Sequence, residues 1–304
     1  MIRNTYAFIT YRPCTYSSLH GGPLNRRFFR QNLVGTITPI ELITIEHLIV
    51  AILLLPFLKI KNEFKDFDYK DWLALIFVAA GSSVGGILSF TTAFQYMNPA
   101  VVILLQKLQP IVTITLSALF LKERMSKSFL LLALIAIVSG YVLVFGWSTP
   151  TTIANLGNLN GVKYALLAVF FWGGGSVFGK RLLNKNWNHF SLTKWRYYFG
   201  ALTALSLFAV LKDTKAPVIF TQLDKLPSIA YIALISGFIA LWLFYKGLQN
   251  TKASVSSILE LIFPLSSTLI VWLFLNKPLT TVQLVAGGIL LLSVVFISRN
   301  SIKK

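Results

Sequence analysis

Long apolar runs separated by short polar loops are the main feature of the chain. A helix needs roughly 20 apolar residues to cross about 30 Å of hydrocarbon. Continuous runs of that length, without the ten-residue alternation of a β-barrel, are typical of spanning helices. We therefore predict an all-α, polytopic membrane protein with about nine spans. The nine segments are Ile37–Leu58, Trp72–Gln95, Ala100–Leu121, Ser128–Phe145, Val162–Gly179, Leu192–Leu211, Leu226–Tyr245, Ala253–Leu275 and Leu279–Ile297.

The two halves of the chain align without a gap when the sequence is shifted by 154 residues. Gln95 then falls on Gln249. Pro110 falls on Pro264, and we expect each proline either to kink its helix at a gate or to shape passive packing. Each unit would hold five helices, and an odd number turns the second copy over in the membrane. The sequence thus predicts two inverted five-helix repeats, a ten-helix plan that recurs in secondary transporters.

The first helix of the first unit has no apolar counterpart in this chain. At its expected place stands "FITYRPCTYSSLHGGPLNRRFF", residues 8–29, whose prolines and arginines do not suit a spanning helix. We interpret residues 1–35 as an atypical segment produced by a frameshift or a wrong start in the gene model, with a peripheral arm as the alternative. Residues 36–147 and 162–298 then form the two repeats, and 299–304 a basic cytoplasmic tail.

Composition agrees with a lipid environment. Of the 304 residues, 55% are hydrophobic and 12% are charged, whereas a soluble domain carries about 25% charged residues. The net charge of +18 lies mostly in alternate loops, which the positive-inside rule places in the cytoplasm. We expect a multi-pass protein of the cell (inner or plasma) membrane with a cytoplasmic C-terminus. Its expected partners are the lipid bilayer and a small-molecule substrate, not nucleic acid, and a homodimer is left open.

Few residues suit redox, metal or hydrolytic chemistry. Cys14 is the lone cysteine, and the three histidines show no ligand spacing. The sequence has no Walker motif and no Gly-x-Ser-x-Gly motif. We expect no metal, no cofactor and no enzymatic activity.

Glycines are concentrated in the stretch "FFWGGGSVFGK", residues 170–180. Small residues let neighbouring helices approach closely in lipid. Tight packing is the simpler interpretation, and a helix that lines a transport path beside Trp172 is the alternative. The glycines assigned to close packing are Gly81, Gly85, Gly173, Gly175 and Gly179.

These patterns resemble the EamA-type transporters of the drug/metabolite transporter superfamily. The stretch with Trp172, Gly173 and Lys180 is similar to that family's Trp-Gly…Lys opening helix, and "AFQYMNPAVVILLQKLQPIVTITLSALFLKERMS" to its fourth-helix signature. The segment "QNTKASVSSILELIFPLSSTLIVWLFLNKPLT" is the matching second copy. The resemblance covers about residues 36–298, and it implies a central cavity that passes small metabolites, often amino acids, commonly outward. The chain departs from the family in its first helix and at Glu46, where many relatives carry an arginine.

Ionisable side chains inside a bilayer are candidates for function because burying them costs at least about 2.5 kcal/mol. Lys107 and Glu260 lie in opposite repeats, and we expect them to flank the substrate, with Lys107 near a carboxylate and Glu260 near an amine or a coupling proton. Snorkelling of Lys107 and local hydrogen bonding of Glu260 are the alternatives. The predicted substrate-binding set is Gln106, Lys107, Glu260, Trp172, Trp242, Tyr245 and Phe94.

Other polar and aromatic residues near helix ends suggest contacts with lipid. We assign Lys194 and Arg196 to headgroup or gate contacts, and Trp72, Trp187 and Trp195 to the membrane interface. The functional prediction is a secondary transporter, in particular an exporter. The alternatives are a non-transporting subunit or inactive transporter and, less favoured, a lipid-modifying enzyme.

Overall fold

A computed structural model describes residues 37–58, 63–97, 99–146, 159–185, 187–211, 225–266, 269 and 279–302. These segments form helices joined by short turns, without a strand among them. Two sequence expectations fall elsewhere. The atypical segment 1–35 and the end of the predicted span Ala253–Leu275 lie outside the described residues.

Ten helices are numbered here in chain order. They are α1 (Pro39–Leu54), α2 (Tyr69–Tyr96), α3 (Pro99–Gln106), α4 (Gln109–Phe120), α5 (Lys127–Phe145), α6 (Leu159–Leu183), α7 (His189–Leu211), α8 (Leu226–Gln249), α9 (Ala253–Leu259) and α10 (Thr281–Ile302).

Seven helical segments of the described chain are long and apolar enough to cross a membrane, with α3 and α4 counted together as Val101–Phe120. Of the nine predicted spans, the other two correspond to α7 and α9. Helix α7 has 23 residues, but it carries polar groups such as Lys194 and Arg196 in its first half. Helix α9, together with the turn and the short helical stretch that follow it, forms an apolar segment that extends to Ser266 within the described residues. The chain is an all-α, polytopic membrane protein.

Local signals in the sequence explain where several helices begin. Thr38 caps α1, where its hydroxyl accepts a bond from the Glu41 amide at 3.4 Å, and Pro39 occupies the first helical position. Asp68 and Asp71 form a reciprocal capping box at the start of α2. Ser126 caps α5 by accepting from the Phe129 amide at 3.1 Å.

Irregular stretches recur at twin positions of the two repeats. Helix α2 widens into a π-helix over Phe77–Gly85, and α8 does so over Ile232–Ile239. The 154-residue shift places the first of these on residues 231–239. The helix that follows α2 breaks between Gln106 and Gln109, and α9 ends at Glu260–Leu261. Each break lies within four residues of the paired prolines, Pro110 and Pro264.

Two pairs of twin helices, α1 with α7 and α5 with α10, pack against each other in antiparallel fashion, as inverted repeats require. In α1 and α7, Thr44 donates to the Ala204 carbonyl at 3.3 Å, whereas Lys194 donates to the Phe57 carbonyl. In α5 and α10, Gln283 near the start of α10 donates to the Leu143 carbonyl near the end of α5, at 3.1 Å. Helices α4 and α9 also meet, and α1 packs on α8 as α7 packs on α2. The 154-residue shift, which takes α1 to α7 and relates α2 to α8, therefore turns the α1–α8 contact into the α7–α2 contact.

The glycine row of α6 lies against α2, α4 and α8. A methyl group added at Gly175 would lie 2.1 Å from Ser82 Oγ, and one at Gly173 would lie 2.9 Å from Val112. A β-carbon added at Gly179 would lie 3.0 Å from the Tyr245 ring. On α2, a β-carbon added at Gly81 or at Gly85 would lie 3.0 Å from the ring of Phe171. A β-carbon at any of these positions would force its neighbours apart.

Candidate functional site

A cavity of about 760 Å³ lies between the two repeats. Helices α1, α2, α6, α7, α8 and α9 contribute to its wall, together with the break between α3 and α4. The π-helical segments of α2 and α8 both reach it. Such segments redirect side chains and occur frequently at functional sites. Its polar lining includes Glu46, His47, Ser82, Ser83, Gln106, Lys107, Gln109, Arg196 and Glu260, and its aromatic lining includes Phe90, Phe94, Trp172, Tyr197, Tyr231, Phe244 and Phe263.

Five of the seven predicted substrate-binding residues line this cavity: Gln106, Lys107, Glu260, Trp172 and Phe94. Trp242 and Tyr245 lie outside the lining. The Trp242 ring stacks near His189, with centroids 5.5 Å apart, at the far end of α8. Tyr245 is fully buried behind the wall, because its ring packs against Gly179. Helical periodicity turns these two side chains away from the cavity.

Glu260 reaches the cavity at the point where α9 ends. Its Oε2 accepts a hydrogen bond from Gln109 Nε2 at 3.0 Å, which joins the helix breaks of the two repeats. Its Oε1 is buried and has no hydrogen-bond partner among the described residues, and the same holds for Gln106 Oε1. Lys107 contributes favourable electrostatics to the Glu260 carboxylate. Both oxygens are enclosed by protein, and leaving buried acceptors without a partner is costly.

Arg196 enters the cavity from α7. Its Nε donates to Ser83 Oγ at 3.1 Å, and its terminal nitrogens donate to Tyr245 Oη at 2.5 Å and Ser82 Oγ at 3.3 Å. Ser83 is also 2.9 Å from Nε2 of His47. The network crosses from α1 through α2 to α8. Of the two contacts expected for Arg196, the headgroup contact is wrong because the residue is buried in protein, and the gate contact stays a prediction.

We call the end of the bundle that carries the loops 63–68, 121–126, 184–185 and 250–252 the basic end. Lys194 is buried there, contrary to the lipid contact expected from sequence, and it pairs with Glu63 at 2.8 Å. Trp187 and Trp195 are buried as well, because their indole nitrogens donate to Glu63 and their rings pack around Phe64. Both tryptophans are therefore covered by the loop 63–68 and not by lipid.

A second ionic cluster joins the start of α2 to the end of α6. Arg181 contacts the buried carboxylate of Asp71 at 2.8 Å, and Lys185 contacts it at 3.2 Å. The Asp71 amide is the main cause that lowers the pKa of Asp68, and the charges of Lys185 and Arg181 add to this effect. The hydrogen bond and charge of Asp71 raise the pKa of Lys185. Asp68 and Lys185 therefore stay ionised over a wider pH range than the free side chains.

The turn between α8 and α9 is held from both sides at the basic end. Lys180 donates to the carbonyls of Leu248 and Gln249 at 3.0 and 2.9 Å. The Glu123 carboxylate accepts from the amides of Ala253 and Ser254, at 2.8 and 3.1 Å, and from the Ser254 hydroxyl. The residue before Glu123, Lys122, has a φ of +53°, in the left-handed region that non-glycine residues rarely adopt. This strained turn presents the carboxylate.

Several lining residues were not predicted. Gln109, His47 and Ser83 are polar but were not singled out, because nothing in the sequence distinguishes them from the other polar residues of the apolar runs. Glu46 and Arg196 carry charges within apolar stretches, and that signal alone marks them as candidates. Among the described residues, no three His, Cys, Asp or Glu side chains form a group able to hold a metal ion.

Comparison with known proteins agrees with this architecture. The sequence profile of the EamA-like transporter family matches residues 27–146 and 159–299. A solved crystal structure of 15% sequence identity shares the fold, with a TM-score of 0.64 over 91% of this chain and 96% of the other.

Curated relatives are similar over most of their length. The riboflavin transporter ImpX of Fusobacterium nucleatum is 31% identical over 69% of this chain and 69% of its own. An uncharacterized transporter of Archaeoglobus fulgidus is 28% identical over 67% and 70%, and protein PecM of Dickeya dadantii is 26% identical over 75% and 74%. With two family matches that together span most of the sequence, the chain belongs to the EamA-like transporter family and is a multi-pass membrane transporter.

Proposed function

We propose that this protein is a secondary transporter that moves a small metabolite through the cavity by alternating access. The observation that carries the proposal is the cavity itself, which lies between two antiparallel repeats and is lined by polar side chains of both, among them Gln106, Arg196 and Glu260. The paired helix breaks and π-helical segments are sites where each repeat can bend. Exchange of conformation between the repeats would open the cavity to either face.

The ionisable side chains of the wall favour a solute without net charge. Two of them are basic, Lys107 and Arg196, and two are acidic, Glu46 and Glu260. A wall with balanced charge suits a neutral or zwitterionic molecule better than a polyanion, because an unmatched charge is costly to desolvate. We therefore favour a small zwitterion of the amino-acid type as the substrate. We assign outward transport across the cell membrane, with the basic end and the C-terminus in the cytoplasm.

A planar aromatic solute is the second candidate. Seven aromatic side chains, including Phe90, Phe94 and Trp172, line the cavity, and such rings stack on flat heterocycles. The relative with 31% identity is a riboflavin transporter. Riboflavin-like molecules therefore belong in any first substrate screen.

Solute flux in proteoliposomes tests the proposal. The purified full chain would be reconstituted into vesicles loaded with an unlabelled amino-acid mixture or with riboflavin. Counterflow of the labelled solute into these vesicles would then be followed. Glu260→Gln and Lys107→Met are expected to reduce counterflow about tenfold or more, since each removes a charge from the wall. Lys246→Met is the matched control, because Lys246 is exposed and lies outside the cavity.

Two outcomes would contradict the proposal. Absence of counterflow for both solute classes, by a protein that is folded, would favour a non-transporting subunit or an inactive transporter. Full counterflow by Glu260→Gln and Lys107→Met together would show that the wall charges do not serve transport. Turnover of labelled lipid by the same vesicles would favour the enzyme alternative.

A further inference from the structure

Arg196 brings a positive charge into the cavity wall that the repeat architecture does not require. The side chain is 8% exposed. The 154-residue shift places Leu42 at the twin position, and Leu42 is fully buried, so an apolar side chain suffices there. A charge at this depth is costly unless something compensates it. The charge at position 196 therefore calls for a role beyond packing.

The protein satisfies the guanidinium only in part. The three bonds to Ser83, Ser82 and Tyr245 use three of its five N–H groups. All three acceptors are hydroxyls, which satisfy hydrogen bonds without neutralising charge. Within the described part of the chain, no carboxylate forms an ion pair with Arg196. Glu46 and Lys107 line the same cavity, but each already interacts with another group of the protein.

His47 fixes the direction of this network. Its Nδ1 lies 2.8 Å from the Ile43 carbonyl, which only accepts, so Nδ1 carries the proton. In the neutral imidazole, Nε2 then accepts from the Ser83 hydroxyl, 2.9 Å away. Ser83 is left with lone pairs for Nε–H of Arg196. Ser83, Ser82 and Tyr245 thus hold the guanidinium in place. Its two unused N–H groups remain for a ligand.

We propose that Arg196 is the anion subsite of the cavity and binds a single carboxylate of the transported solute. Two N–H groups on a planar guanidinium match the two oxygens of a carboxylate. Glu260 and Gln106 line the same cavity, and we assign the N–H groups of the solute to their side chains. This inference rests on the proposed function and deepens it. It moves the carboxylate contact from Lys107, as expected from sequence, to Arg196.

A matched set of probes separates the two subsites. Binding of L-phenylalanine, 3-phenylpropionate, phenethylamine and phenylalaninamide to the full chain in nanodiscs would be measured by calorimetry. We expect Arg196→Gln to weaken binding of phenylalanine and 3-phenylpropionate by about tenfold to a hundredfold. Phenethylamine should change less than about twofold, because it has no carboxylate. Glu260→Gln should instead weaken binding of phenethylamine and leave binding of 3-phenylpropionate nearly unchanged.

Arg196 also links α2 to α8, so its removal could disturb the fold. Two further measurements address this. Arg196→Lys keeps the charge but loses the paired geometry, and it should retain part of the carboxylate affinity. Wild-type protein alone should bind phenylalanine at least about tenfold more tightly than phenylalaninamide, which lacks the negative charge.

Three results would overturn the inference. These are equal wild-type affinity for phenylalanine and its amide, equal weakening of all four probes by Arg196→Gln in folded protein, and wild-type binding of none of them. Failure of the transport proposal looks different, because it is the absence of flux for every solute tested. A protein that carries riboflavin but ignores carboxylates would remain a transporter without this subsite.

Discussion

The two ends of the bundle are closed by different kinds of contact. At the basic end, Asp71 gathers Arg181 and Lys185, and Glu63 gathers Lys194 and two tryptophans. At the opposite end, which carries the turns at Met97 and Gly146, helices meet through apolar and aromatic contacts and through the hydrogen bond from Gln283 to the Leu143 carbonyl. Tyr96 stacks on Tyr164 there with ring centroids 5.8 Å apart.

The difference has a physical consequence. Buried ion pairs and caps depend on geometry and lose their value abruptly when a partner moves. Apolar contacts decline gradually with the area that is exposed. We therefore expect the stabilising free energy of the basic end to be lost abruptly when a partner moves, and that of the opposite end to be lost gradually as apolar area is exposed. Substitutions at the two ends should separate these behaviours.

The largest effect is expected from Asp71→Ala, which removes the shared partner of Arg181 and Lys185 as well as half of the capping box. We expect a loss of about 2 to 3 kcal/mol, below the value for a fully buried pair because Arg181 and Lys185 are partly exposed. Thermal unfolding of the detergent-solubilised protein measures it. Gln283→Ala at the opposite end is the matched comparison, with an expected loss of about 1 kcal/mol. Equal losses at the two ends would remove the distinction.

A smaller effect is expected from Glu123→Ala. It leaves the amides of Ala253 and Ser254 without their acceptor, which should cost about 1 to 2 kcal/mol. The altered turn should also change the rate of solute counterflow, since it frees α9 at the basic end. Arg124→Ala, an exposed neighbour, is the control and should leave both the melting temperature and the rate unchanged. A stable Glu123→Ala protein with normal flux would show that the cap is dispensable.

The smallest effect concerns pH. Since the pKa of Asp68 is lowered in the folded protein, its contribution is present above the ordinary Asp pKa and is lost as pH falls through the lowered value. Since the pKa of Lys185 is raised, its contribution is present below the ordinary Lys pKa and is lost as pH rises through the raised value. The difference in melting temperature between wild type and Asp68→Asn should therefore be flat between about pH 5 and 9. A slope at neutral pH would mean that another group titrates.

The periodicity of the chain predicted most of the fold. Apolar runs predicted the helices, and the alignment of Pro110 with Pro264 pointed to twin breaks. The antiparallel pairing of α5 with α10 is consistent with an odd number of helices in each repeat. The π-helical segments could not be foreseen, because they depend on packing of side chains from several helices and leave no periodic signature.

The site was less predictable than the fold. Lys107 and Glu260 stand out in sequence because charges are rare in apolar runs. Lys194 and Arg196 follow a helix start, a position that also suits headgroup contacts, and only the folded loop with Glu63 and the serines of α2 reveal their partners. Tyr245 was expected in the cavity because it is aromatic, but its direction depends on the rotation of α8.

The hydrogen bonds that Glu123 makes with the start of α9 have no equivalent at the twin positions of the two repeats. The twin of Glu123 is Lys277, which has no acceptor, and the twin of Ala253 is Pro99, which has no amide hydrogen. If the protein alternates access as proposed, this difference makes its two access states unequal in free energy even when no solute is bound. In a passive cycle, detailed balance forbids such a bias from driving net flow. It makes the half-saturating concentrations differ between the two sides, while the ratio of maximal rate to half-saturation stays equal.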